Sequence, residues 1–231
     1  MAENSKIEWT HDTFNPWRGC TRVSEGCRHC YAETLSKRNP ATLGTWVPNG
    51  MRVVATEAYW RKPLIWNKVA KEAGVRRRVF CASMADVFEA WDGPMTDAQG
   101  KDVWFEEGTV SRPATMGDIR QRLFDLIAET PHLDWLLLTK RPENAVTMLP
   151  FHAGAVVGKQ LRDGHVTDQI ILDSLLEAAP SFPNIWLGTT VENQQAKSRI
   201  DLVRPIPAAV RFLSIEPLLE DLGRLDLRGI H

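Results

Sequence analysis

Three thiols stand close together in "NPWRGCTRVSEGCRHCYAETLSKRN" (Asn15–Asn39): Cys20, Cys27 and Cys30, in the spacing C-x6-C-x2-C. The only other cysteine is Cys81. Thiolates are soft ligands suited to zinc or to iron–sulfur clusters. A closed structural zinc site takes four protein ligands, and the local candidates for the fourth are His11 and His29. His29 lies between two of the cysteines, where all three would crowd one ion. A four-iron cluster asks for less: three cysteines hold three irons and leave the fourth open to an exogenous ligand. Three local cysteines without an obvious distant fourth favour that open [4Fe–4S] cluster over zinc. Cys81, inside the apolar "VFCASM", reads as a packing residue. A redox pair of Cys27 with Cys30 would leave Cys20 without a role. An open iron is what radical chemistry with S-adenosylmethionine needs. The amino and carboxylate groups of the cofactor chelate it, and one electron cleaves a C–S bond to give a 5′-deoxyadenosyl radical.

Positioning such a site requires a scaffold, and the apolar pattern supplies one. Short β-rich segments recur at Lys6–Thr10, Arg78–Ser83, Asp134–Lys140, Asn184–Val191 and Val210–Pro217. Their near-continuous hydrophobicity predicts strands covered on both faces, as in parallel sheets. Helical spacing lies between them. In "MGDIRQRLFDLIAET" Ile119, Leu123, Leu126 and Ile127 share a face, and Thr115 with Asp118 reads as a capping box. Gln169–Ala179 and Glu192–Val203 show the same periodicity, the latter with a capping box from Thr189 to Glu192. Strand alternating with helix predicts an α/β fold of βα units, a partial parallel (βα) barrel. Residues 1–231 read as one domain with loop excursions near 41–55 and 90–113, and loops of that length in compact domains are usually functional.

At 231 residues the chain buries about 70% of its unfolded surface without staples. A net charge of −1 excludes a global attraction to nucleic acid or acidic membranes. No apolar run is long enough to span a bilayer, and the N-terminus lacks a signal-peptide pattern, so the chain reads as cytoplasmic. There, clustered cysteines serve metal binding or catalysis more often than disulfides.

In βα architectures the chemistry gathers at the carboxyl ends of the strands. The polar groups at those ends are Ser83 and Asp86, Lys140 and Arg141, Thr190 and Glu192, and Ser214 and Glu216. Carboxylates there suit a ribose or an ammonium, and Lys140 or Arg141 suits a carboxylate or phosphate. Helix-start stabilisation by Asp86 and Glu192 is the plainer reading. "EAYWRKPLIWNKVAKEAG" mixes aromatic and basic residues, a composition that suits single-stranded nucleic acid. Trp60, Leu64 and Lys68 also fall at helical spacing, which amphipathic packing explains.

The blocks "KIEWT…NPWRGCTRVSEGCRHCYAE", "EAYWRKPLIWN", "VFCASMADVF", "LLLTKRPEN", "IWLGTTVENQ" and "RFLSIEPLL" together resemble the phage gp-thirty-seven/gp-sixty-eight family, a domain of unknown function, over nearly the whole chain. The cysteine block is similar to a spacing variant of the radical S-adenosylmethionine motif C-x3-C-x2-C. That resemblance implies a radical-SAM-like barrel, with His29 or Tyr31 near the adenine and the strand-end groups around the methionine and ribose. It also implies an electron donor and an unidentified substrate, with nucleic acid or a modified base suggested by the phage association. The family pattern continues past His231 into a strand and a glycine-rich turn, so the resemblance implies a barrel truncated at its C-terminal side. The rival reading is a non-enzymatic binding module stabilised by zinc or a cluster, with nucleic acid as its partner.

Overall fold

The apolar segments assemble into a parallel sheet. The structure, a computed structural model, describes residues 5–149 and 183–231. Its strands are β1 (Asp12–Phe14), β2 (Trp17–Arg18), β3 (Arg52–Val54), β4 (Arg77–Cys81), β5 (Met95–Thr96), β6 (Trp104–Glu107), β7 (Val110–Pro113), β8 (Leu133–Thr139), β9 (Ile185–Thr190) and β10 (Val210–Ser214). Its helices are α1 (Tyr31–Ser36), α2 (Pro40–Leu43), α3 (Glu57–Trp60), α4 (Lys62–Ala73), α5 (Met116–Glu129), α6 (Pro142–Met148) and α7 (Ser198–Val203).

Strands β1, β4, β8, β9 and β10 pair in that order, every pair parallel. Each crossover therefore steps to the next position in one direction. Under the right-handed rule for such connections, this order gathers the helices on one face of the sheet. The core agrees. Val79, Cys81, Leu133, Trp135, Leu137, Ile185 and Leu187 join Trp66 and Ala70 of α4 and Ile119, Leu123 and Ile127 of α5 in one buried cluster. The alternate residues Phe80 and Leu138 face the other way and line a cavity. Trp135 is fully buried on the helix side, with its indole N–H donating to Thr130 Oγ1 at 3.0 Å.

The helix α5 begins as expected: Thr115 Oγ1 accepts from the Asp118 N–H at 3.2 Å, and the Asp118 carboxylate accepts from the Thr115 N–H at 2.7 Å. From its next turn, Arg120 donates to the carbonyls of Val87 and Glu89, both at 2.7 Å, and so fixes the loop after β4. In α3 and α4, Trp60 and Trp66 are buried in the core and do not offer stacking faces.

Three expectations change. Lys6–Thr10 is not a strand: the first strand is β1, and the segment before it turns so that Ile7 and Trp9 reach the cavity. The capping box from Thr189 to Glu192 does not form. Thr189 lies inside β9 with its hydroxyl donating to the Thr139 carbonyl at 3.0 Å, the Glu192 carboxylate is engaged elsewhere, and α7 starts only at Ser198. The segments 41–55 and 90–113 are not plain loops. They carry most of α2, the strands β3 and β5, which form a small sheet with β2, and the hairpin β6–β7. The α/β class with a parallel sheet stands, and that sheet is open among the described residues, with no closed barrel. The expected helix Gln169–Ala179 lies outside the described residues. Past β10, the His231 N–H donates to the Arg211 carbonyl at 2.9 Å, along that strand's outer side. No helix among the described residues is long and apolar enough to cross a membrane.

Candidate functional site

A cavity of about 530 Å³ opens at the carboxyl ends of β4, β8, β9 and β10. That volume is in the range of small-molecule and cofactor sites, about 300–1,000 Å³. Cys20, Cys27 and Cys30 line one side of it. Lys140, Thr190, Ser214 and Glu216 line another, and Ile7, Trp9, Phe80 and Leu138 supply an apolar wall. The Trp9 and Phe80 rings meet at 4.8 Å.

The cysteine loop is shaped residue by residue. Gly19 turns the chain into Cys20 at φ 106°, and a Cβ there would come within 2.4 Å of the Met51 carbonyl oxygen. The Cys20 N–H then donates to the Thr45 carbonyl at 3.1 Å, so the 41–55 excursion backs the loop. Trp46 from the same excursion packs with Ala32 and Met84 against Cys20 and Cys30. Cys27 sits in a short 3₁₀ turn (Glu25–His29), and Cys30 immediately precedes α1. At Gly26 the backbone passes so near Glu192 that a Cβ would lie 3.0 Å from its side chain. Glu192, fully buried, accepts from the Ser24 hydroxyl and from Arg199 Nη1, the latter at 2.7 Å.

A buried ionic network holds Cys20. Arg52 grips the Glu89 carboxylate through Nε and Nη2, both at 2.8 Å, and Glu89 also accepts the Thr21 N–H at 2.7 Å. Arg141 donates to Asp86 at 2.9 Å, to the Thr21 carbonyl at 2.5 Å and to Cys20 Sγ at 3.6 Å. Asp86 further accepts from the Thr139 hydroxyl at 2.7 Å and the Lys140 N–H at 3.1 Å. Burial pushes the Cys20 thiol up to about 12, with the Arg141 guanidinium opposing it. Burial alone would pull Arg141 down, but Asp86, Cys20 and Glu89 together carry it above its ordinary value. Cys81 is fully buried on the helix side, and burial pushes its thiol up as well.

Nine of the ten strand-end and loop residues singled out from the sequence line this cavity: His29, Tyr31, Ser83, Asp86, Lys140, Arg141, Thr190, Ser214 and Glu216. Glu192 does not; it stands behind the cysteine loop and anchors it. The nine divide by how their polar atoms are used. Ser83 bonds Asn15, Tyr31 Oη donates to the Ser83 carbonyl at 2.9 Å, and Asp86 and Arg141 are spent on each other and on the Cys20 loop. Among the described residues, the side chains of His29, Lys140, Thr190, Ser214 and Glu216 have no protein partner, so these five are free for a ligand. Thr190 and Ser214 are register partners on β9 and β10, and Lys140 follows the last residue of β8.

Sequence reasoning missed Arg52, Glu89, Ile7 and Trp9. Arg52 and Glu89 are charged residues buried nearly completely, a state their types almost never reach unpaired. Nothing local to either residue announces the other.

The thiols are free of disulfides. No three His, Cys, Asp or Glu side chains among the described residues stand close enough to hold one metal ion. A single zinc would need its thiolates converged at about 2.3 Å. A four-iron cluster places each thiolate on a separate iron and accepts a wider set. All three thiols line the same cavity, beside polar groups that have no protein partner among the described residues.

A family model described as a protein of unknown function, DUF5131, matches residues 4–105 and 108–231. Comparison with curated proteins and with solved structures gives no match.

Proposed function

We propose, from the premise that this chain belongs to the DUF5131 family, that it is a radical S-adenosylmethionine enzyme holding a [4Fe–4S] cluster through Cys20, Cys27 and Cys30. The carrying observation is that those three thiols line one cavity together with polar groups from four strand ends. The sequential parallel strand order and the cavity at its carboxyl ends support the reading of a partial (βα) barrel, radical-SAM-like. The resemblance to the phage gp-thirty-seven/gp-sixty-eight family is consistent with it.

A cluster held there would supply the one electron needed to cleave a C–S bond of S-adenosylmethionine into methionine and a 5′-deoxyadenosyl radical, which would abstract hydrogen from substrate. The chain's own residues do the rest. Lys140 and Glu216 offer opposite charges to a carboxylate and an ammonium, and the Thr190 and Ser214 hydroxyls suit a ribose. His29 and Tyr31 lie on the cysteine side of the cavity, where the resemblance puts the adenine. Ile7, Trp9, Phe80 and Leu138 exclude water from the reacting end. An external electron donor is required. The substrate class follows only the phage association, a nucleic acid or modified base.

Anaerobic reconstitution of the purified chain tests this reading, with iron, sulfide and zinc quantified and the reduced EPR spectrum recorded with and without S-adenosylmethionine. About four irons per chain and a spectrum altered by the cofactor are expected. Tight zinc, no cluster and no cofactor effect would leave the binding-module reading in its place.

A further inference from the structure

The three thiols of the cavity stand in unequal surroundings. Cys27 Sγ meets the Val23 N–H at 3.5 Å and the Ser24 hydroxyl at 3.8 Å, both neutral groups. Among the described residues no hydrogen-bond donor reaches Cys30 Sγ. Cys20 Sγ has a charged donor, Arg141 Nη1 at 3.6 Å. That guanidinium cannot wander. Its Nη2 donates to the Thr21 carbonyl, its Nη1 to Asp86 Oδ2, and its backbone N–H to Thr139 Oγ1 at 2.8 Å, while Nη2 lies 3.5 Å from Glu89. The same Nη1 thus faces a carboxylate on one side and the sulfur on the other.

We propose that Arg141 is a positioning residue that fixes Cys20 and, by a charged hydrogen bond to its thiolate, raises the reduction potential of the cluster, with Asp86 as the counter-charge that limits the effect. The inference rests on the cluster reading above. Reduction adds negative charge to a cluster, and a cation held against one ligand sulfur lowers the cost of that charge. Hydrogen bonds to the sulfurs and local net charge are the protein's main levers on such potentials. Arg141 supplies both from one rigid fork, and Asp86 offsets one of them. The three ligands therefore differ in role: Cys20 is the electronically tuned one, while Cys27 and Cys30 are held mainly by the backbone turn.

Two variants give shifts of opposite sign, which structural damage alone would not produce. Asp86→Asn removes the counter-charge and leaves Arg141, so the midpoint potential moves up. Asp86→Asn combined with Arg141→Met removes both charges and the donor, so the midpoint moves below that of the wild type. Arg141→Lys, which keeps the charge but loses the fork, falls between the double variant and the wild type. The measurement is a dithionite redox titration followed by EPR without S-adenosylmethionine, after matching iron and sulfide content and thermal melts. Variants that load fully and titrate with the wild type overturn the proposal while leaving the cluster reading intact. A wild-type chain that takes up no iron overturns the cluster reading, and the proposal with it. Should the double variant fail to fold, Arg141→Lys decides alone: a midpoint below the wild type supports the proposal, and an unchanged midpoint refutes it.

Discussion

Ser24 and Glu192 lie 168 positions apart, yet the Ser24 hydroxyl donates to the Glu192 carboxylate and so ties the cysteine loop to the end of β9. The other carboxylate oxygen takes Arg199 Nη1, whose guanidinium also reaches the Thr190 carbonyl at 2.8 Å. One buried side chain thereby joins the thiol side of the cavity to the strand that carries Thr190.

Removing that anchor has a definite expected cost. Glu192→Ala leaves the mostly buried Arg199 guanidinium without its counter-ion and is expected to destabilise the chain by about 2–4 kcal/mol. The damage should concentrate at residues 24–30, read as faster amide hydrogen exchange there than in β4 or β8. Uniform exchange across the sheet would mean that Glu192 serves the fold at large rather than the cysteine loop.

The four cysteines separate by position. Alanine at Cys20, Cys27 or Cys30 is expected to reduce iron retention sharply after anaerobic reconstitution. Cys81→Ala should leave iron content unchanged and cost about 1 kcal/mol of stability for the apolar volume it removes. Iron lost from Cys81→Ala with the fold intact would make Cys81 a ligand.

Lys140 and Arg141 are neighbours with different work. Lys140→Met should change unfolding free energy by less than about 0.5 kcal/mol, since its ammonium has no protein partner among the described residues. It should weaken S-adenosylmethionine binding to the loaded protein about tenfold, the loss of one charge-assisted contact. Isothermal titration against the wild type measures both the affinity and, through the fitted stoichiometry, the fraction of competent sites.

The Asp118 carboxyl is held down to about 2, first by its hydrogen bonds from Arg112 and then by those from Thr115. That is below the ordinary value near 3.9. A depressed carboxyl contributes its stability above the unfolded value and loses it as pH falls toward the folded one. Asp118→Ala is therefore expected to cost about 1 kcal/mol at pH 7. The gap from the wild type should close progressively between about pH 4 and pH 2. Urea unfolding of both proteins at pH 7, 4 and 3 checks this. A gap that stays constant would assign the loss to the capping contacts with Thr115 that survive protonation instead of the charge.

Much of this architecture can be read without coordinates because its signals are local. Four of the five main strands follow from runs of apolar residues, and α5 from a 3.6-residue period with its cap at Thr115 and Asp118. The thiol spacing and the polar residues after each strand are equally local, and nine of those ten residues do meet on one cavity. Other features depend on which distant segments meet. Lys6–Thr10 has a strand-like composition, but its backbone pairs with no strand, and its side chains serve the cavity wall. Thr189 and Glu192 match a capping box by spacing. The parallel register of β9 and the approach of Ser24 draw them into other bonds. Arg52 and Glu89, 37 positions apart, and Arg141 and Cys20, 121 apart, are paired only because the fold buries them side by side. Periodicity and caps act over one or two turns of chain, so they are written in neighbouring residues. A buried charge must find its partner wherever packing puts one, and that choice belongs to the tertiary structure.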